Sequence, residues 1–329
     1  MPSRRTRTLA ILIVIAIALS VIVWRVVTLS SDETEFVEEG QEEEIAEEAT
    51  GLLRELTFST SYVNGVEVSK TGGTIENPST GDLQNVRIYE PEASEPLPMV
   101  TLVPGGSSSG NTFEQTIGQS IREAEVLAAE GFVVVVYDPL GTGESQGELN
   151  FQGHYDQDGL ALIISEASMR DSVDANNIGI ASFSYGVTGA TGVLARYPEL
   201  GVKFYSDWEG PSSRFYTTVG CNSTSLDSGK PNGFSCADEE HWVEREAATF
   251  IAETNIEYYW RIQEEEDHVQ PNYDHTLEMI DAAVGNIPWV VLNDGAPNAQ
   301  YTQRTVPTVN ARDHFTELVI PHLIQMAAF

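Results

Sequence analysis

From Pro98 onward, short, largely apolar runs alternate with stretches of helical periodicity, and few folds accommodate that rhythm. Val100 to Val103, Phe132 to Tyr137, Ile178 to Ala181, Val202 to Tyr205, Ile256 to Ile262 and Trp289 to Leu292 are dominated by apolar side chains, often at adjacent positions. A strand does this only where both faces of its sheet are covered. Helical patterns fall between them, near residues 113–129, 159–167, 187–196, 276–283 and 315–326. Strand and helix in strict alternation call for an α/β fold with a mostly parallel, doubly wound sheet. Ahead of this, residues 53–90 alternate β-rich runs with Gly, Asn and Pro turns, the pattern of an antiparallel edge. The segment 208–250 interrupts the rhythm with polar and aromatic residues and both cysteines, and reads as an inserted lid.

The N-terminus has a different character. Arg4, Arg5 and Arg7 precede an apolar run from Leu9 to Trp24 that Arg25 closes. Sixteen helical residues reach about 24 Å, enough to cross a bilayer when the flanking arginines extend to the interfaces. Residues 1–31 are therefore expected to be a single transmembrane helix that anchors the protein in a membrane, with a cleaved signal peptide as the rival. The arginine bias puts the N-terminus in the cytoplasm and the remainder outside. Residues 32–50, which include ten Asp or Glu, form an acidic stalk, and residues 51–329 form the folded domain.

Net charge is -33, and residues 49–329 alone hold 40 acidic against 13 basic groups. No basic patch offsets phosphate repulsion, so a nucleic-acid partner is excluded. Only Lys70, Lys203 and Lys230 occur, and a carboxylate-rich, lysine-poor surface suits high salt, where screening removes self-repulsion. A halophilic source is expected. Cys221 and Cys236, fifteen residues apart in a Gly/Ser/Asn-rich stretch of an exported chain, are read as a disulfide.

The chemistry concentrates in three places. Ile178-Gly-Ile-Ala-Ser182-Phe183-Ser184-Tyr185-Gly186 runs from a buried strand through a small-residue turn into a helix, the context of a nucleophile elbow. Ser182 stands where the usual G-x-S-x-G has its first glycine. Pro104-Gly105-Gly106-Ser107 follows an apolar strand and is placed to supply an oxyanion donor near Gly106 or Ser107, beside the backbone N–H of Tyr185. Asp138-Pro139-Leu-Gly141-Thr-Gly143-Glu-Ser145 follows the next strand.

In this order the three segments resemble the α/β-hydrolase superfamily, especially its dienelactone-hydrolase-like and oligopeptidase-like branches, over about residues 97 to 326. The resemblance implies a catalytic order of Ser, acid, His. It makes Ser184 the nucleophile, Asp267 in Asp267-His268-Val-Gln-Pro271 the acid, and His314, just before the last helix, the general base. Glu264 replaces the glycine usual three residues before that acid. Asp294 and Asp207 are alternative acids, and His268 is the alternative base.

The expected activity is hydrolysis of a small-molecule carboxylic ester or acyl substrate through an acyl-enzyme, with no cofactor and no metal. A serine peptidase, an acyltransferase and a non-catalytic binding protein on the same scaffold are the alternatives. Trp208, Phe215, Tyr216, Phe234 and Trp242 are candidate walls of an acyl pocket.

Overall fold

The computed structural model describes residues 53–115, 122–217, 221, 234–268, 270 and 272–329. The expected anchor and stalk lie outside the described residues. Among the described residues no helix is long and apolar enough to cross a membrane.

Nine strands form one sheet: β1 (Arg54–Val63), β2 (Val66–Glu76), β3 (Leu83–Pro91), β4 (Leu97–Val103), β5 (Val133–Tyr137), β6 (Val173–Phe183), β7 (Val202–Trp208), β8 (Tyr258–Ile262) and β9 (Trp289–Leu292). Their order is β1-β2-β3-β5-β4-β6-β7-β8-β9. The first three strands pair antiparallel with one another and with β5, while β5, β4, β6, β7, β8 and β9 are mutually parallel.

The apolar runs are explained by burial on two faces. In β5 every residue is buried: Val133, Val135 and Tyr137 join one core, and Val134 and Val136 join the other. On the first face lie α2 (His154–Ser168), α3 (Gly186–Arg196), α5 (Ala247–Ile251) and α6 (Asp274–Ala283). Opposite are α1 (Glu123–Ala129) and α7 (Ile320–Ala327), the latter entered through a π-helical turn at Phe315–Val319. Burying about 25 cal/mol per Å² of apolar surface on both sides holds such strands in place.

The expected lid ends sooner than 250. Ala247 and Ile251 belong to the main core, so α5 is part of the helical layer. What remains between is a clamp. Arg214 binds Glu239 and Glu246 and donates to the carbonyl of Cys236 at 3.2 Å. Short α4 (Glu239–Val243) carries Trp242 into a small core with the Cys221–Cys236 disulfide, which is formed as expected.

Parallel register brings the chemistry to one edge. Val103 pairs with Ser182, Phe183 with Trp208, and Trp208 with Ile262. The residues that leave these strands, Gly105, Ser184, Glu209 and the segment from Gln263 to His268, therefore emerge side by side. Ligands of open α/β sheets bind at this carboxyl edge.

Candidate active site

Ser184 sits between the end of β6 and the start of α3 with φ 51°, a left-handed conformation that serine rarely adopts. Its N–H donates to the carbonyl of Trp208 at 2.9 Å, which ties the turn to β7. The turn is crowded from two sides. A Cβ on Gly105 would meet the Phe183 carbonyl at 2.6 Å and the Ser184 Cβ at 2.9 Å, and one on Gly210 would meet Val187 at 2.4 Å. Ser182 is accommodated because its hydroxyl turns into the sheet, 2.7 Å from the Tyr205 hydroxyl.

Ser184 Oγ lies 2.8 Å from His268 Nε2, and His268 Nδ1 lies 2.8 Å from Glu209 Oε2. Glu209 directly follows β7, is 2% exposed and also has a left-handed backbone, φ 49°. Its other oxygen accepts from the Glu264 N–H at 2.8 Å and from Gln263 Nε2 at 3.2 Å. A carboxylate so satisfied holds the proton on Nδ1 and leaves Nε2 free to accept from the serine.

The structure thus puts His268, the alternative base, at the serine, and His314 elsewhere. His314 stacks on Trp208 at 4.3 Å, and burial pushes its imidazole below the usual histidine range. The long stretch after β9 delivers it to the Trp208 indole and not to the serine. Glu209 escaped the sequence reading altogether. It lay within the supposed lid, two residues after Asp207, and only the end of β7 at Trp208 could have flagged it.

The other acids have different duties. Asp267 accepts from Gln263 Nε2 at 3.1 Å, and its Oδ2 lies 3.0 Å from His275 Nε2, while its Oδ1 is 4.0 Å from His268 Nδ1. It supports the site from below, with Glu209 interposed as the direct partner. Asp207 is fully buried in an ion pair with Arg261, and Asp294 is exposed beyond β9. Glu209, Asp267 and His268 bring donor atoms within 4.8 Å of one another, the one such convergence of three or more potential ligands among the described residues. Both nitrogens of His268 are already committed to Ser184 and Glu209, so the cluster is the relay itself.

The Gly105–Ser108 turn, closed by the Ser108 N–H to the Gly105 carbonyl at 2.9 Å, lies against the elbow, with Gly106 at φ 57°. Gly105 is the residue of this turn that packs on the elbow, and Tyr185 follows Ser184 directly at the start of α3. The far end of the turn is anchored where Gly110 N donates to Asp138 Oδ1 at 2.9 Å, beside the Arg87–Asp138 ion pair. Of the proposed pocket walls, Trp242 is buried on the disulfide and Phe234 stacks on His241 at 3.6 Å, so both are packing residues. Phe215 stays exposed.

The model of the X-Pro dipeptidyl-peptidase (S15 family) matches residues 80–213, the stretch from β3 past Glu209. No curated protein matches the chain. Dipeptidyl peptidase 4 of Porphyromonas gingivalis superposes with a TM-score of 0.54 at 18% identity, over 82% of this chain and 40% of that one. An S-formylglutathione hydrolase from Agrobacterium tumefaciens gives 0.54 at 16% identity, over 82% of this chain and 98% of its own. Acetyl xylan esterase 1 from Thermoanaerobacterium sp. gives 0.53 at 15%, over 84% and 89%.

The chain has the α/β-hydrolase fold. Relative to the order expected from that fold, the carboxylate and the imidazole that line up with Ser184 each follow the strand before the one expected to carry the acid and the base. Glu209 comes after β7 rather than β8, and His268 after β8 rather than β9. Sheet adjacency makes the shift geometrically possible, since β7 and β8 flank each other next to β6.

Proposed function

We propose that the chain is a serine hydrolase that cleaves small carboxylic esters through an acyl-enzyme. The observation that carries this reading is the continuous hydrogen-bonded path from Ser184 through His268 to Glu209. His268 Nε2 takes the Ser184 proton as Oγ attacks the acyl carbon, and backbone N–H groups of Tyr185 and the Gly106–Ser107 turn receive the oxyanion. The imidazolium, held by Glu209, returns the proton to the leaving alcohol. Water then repeats the cycle on the acyl-enzyme and frees Ser184.

Esters are favoured over amides because an alcohol leaves with less help from the general acid. The imidazole supplying that help is 32% exposed, so it works close to solvent. A peptidase is the second reading, favoured by the family match over residues 80–213. The membrane-proximal placement is part of the proposal. It is supported by the arginines ahead of the apolar segment and by the Cys221–Cys236 disulfide, which fits an oxidising compartment.

The test is labelling with a fluorophosphonate in high-salt buffer, followed by hydrolysis of p-nitrophenyl esters against X-Pro anilides. Labelling lost in Ser184→Ala and His268→Gln, with esters turned over faster than anilides, is the expected outcome. Faster anilide cleavage would replace the ester reading by the peptidase one, and a folded protein that takes no label would end both.

A further inference from the structure

His268 has its two nitrogens occupied, yet its ring needs a wall to keep it aligned with Ser184. Trp208 provides it: the two rings stack at 4.6 Å with 16° between their planes. The indole is itself fixed on every side. It ends β7, its carbonyl holds the Ser184 N–H, and its Nε1 donates to Glu264 Oε1 at 2.9 Å. His314 also stacks on the indole, at 4.3 Å and 15°, and Phe183 lies 6.4 Å from it. Three aromatic planes thus run nearly parallel.

We infer that Trp208 is a positioning residue whose indole face aligns the His268 ring and stabilises the imidazolium formed as Ser184 is acylated. The inference rests on the hydrolase reading above. A cation over an indole face gains more than over any other aromatic side chain, whereas the neutral imidazole gains little, so the help is concentrated where charge develops. The groups facing His268 are Ser184 from the elbow, Glu209 from the end of β7 and Asp267 from the loop after β8, while Glu264 of that loop holds the indole. His314 stacks on the same indole with Asp313 beside it. His314 is kept towards its neutral form by burial, so no second cation competes for the same ring. Glu264 on Nε1 draws the indole N–H outward and enriches the ring further.

The experiment is stopped-flow acylation by p-nitrophenyl acetate across the pH range, on full-length wild type, Trp208→Phe and Trp208→Leu. Removing the indole is expected to lower the acylation rate by about 3- to 30-fold with KM little changed. The acidic limb of the kcat/KM profile moves to lower pH, because the protonated ring loses its support. Trp208→Phe, which keeps an aromatic face, falls in between. Should Trp208→Leu fail to fold by circular dichroism, Phe carries the test with a drop of about 2- to 5-fold and a smaller displacement of the limb. A rate drop with no movement of the limb, or Phe as impaired as Leu, overturns the inference and reduces Trp208 to packing. A wild-type protein that neither labels nor turns over ester overturns the hydrolase reading, and this one with it.

Discussion

The loops after β8 and β9 each present a histidine to the same indole, and they treat it in opposite ways. His268 faces solvent along one edge and is held by polar atoms at both nitrogens. His314 is half-buried and held by ring faces, Trp208 at 4.3 Å and Phe183 at 6.3 Å. A general base needs an acceptor that fixes its tautomer and an edge open to the substrate, and burial alone supplies neither. Position in the chain order is therefore a weaker guide to the base than the polar company it keeps.

The largest effect should separate the two histidines directly. His268→Gln is expected to reduce kcat for ester hydrolysis by about 10⁴-fold or more, because base and serine act as one unit. Steady-state rates on a p-nitrophenyl ester, with active sites counted by labelling in the wild type, measure it. Survival of the variant within tenfold of wild type would break the comparison at its root.

Next comes the choice of acid. Glu209→Gln keeps the size of the side chain but removes the charge that balances the imidazolium, and is expected to cost about 10² to 10⁴ in kcat. Asp267→Asn should instead leave kcat within about tenfold. It should cost about 1–3 kcal/mol in stability, since the buried bonds from Gln263 and the backbone N–H of Gln270 lose their charged acceptor. Urea unfolding and kcat on both variants decide the matter. If Asp267→Asn were the slower enzyme, the direct partner of His268 would have to be reassigned.

The buried loop carries a pH signature of its own. Glu123, in the first turn of α1, is pushed up to about 7 by burial and by the charge of Asp313, the neighbour of His314. An acid raised in the folded state keeps its proton there longer than in the unfolded chain. Its stabilising effect is full below about pH 4.5 and is lost as pH rises through about 7, a swing of about 2–3 kcal/mol. Glu123→Gln should flatten that stretch of the melting temperature against pH, while the Ser184–His268 side of the site is left as it was. An unchanged slope would show that Glu123 is not raised in the folded protein.

Much of this was written plainly in the chain. The two-faced apolar runs announced the parallel sheet, and Trp289–Leu292 forms β9 with the bounds its apolar run marks. The small residues around Ser184 announced the elbow, and Cys221 and Cys236 announced their bond. The acid and base were not legible for physical reasons. Asp207 and Glu209 are two residues apart, but Asp207 is still in β7 and turns into the sheet towards Arg261, whereas Glu209 lies past the strand end in a left-handed backbone that swings it over the edge. Asp267 and His268 are adjacent, and periodicity cannot say which of two loop neighbours points upward. Those choices depend on where a strand stops and which way its last residue turns, and both are decided by pairing with neighbours distant in sequence.

The smallest expected effect falls on His314 itself. If its role is to back the indole that aligns His268, His314→Gln removes one stacked plane and leaves every atom of the relay in place. The variant should keep ester turnover within about fivefold of wild type, a fraction of what is lost with the Trp208 ring, since aromatic contacts of this kind contribute about 0.5–1.5 kcal/mol beyond burial. Its KM should hold, because His314 is not among the groups hydrogen-bonded to Ser184 or His268. Intrinsic fluorescence offers a second reading: with one stacked ring removed, Trp208 should become more accessible to a neutral quencher such as acrylamide, measured against a His268→Gln control that removes the other. A loss of turnover approaching that of His268→Gln would mean that His314 takes the proton after all, and that the polar partners of His268 serve only to hold its loop.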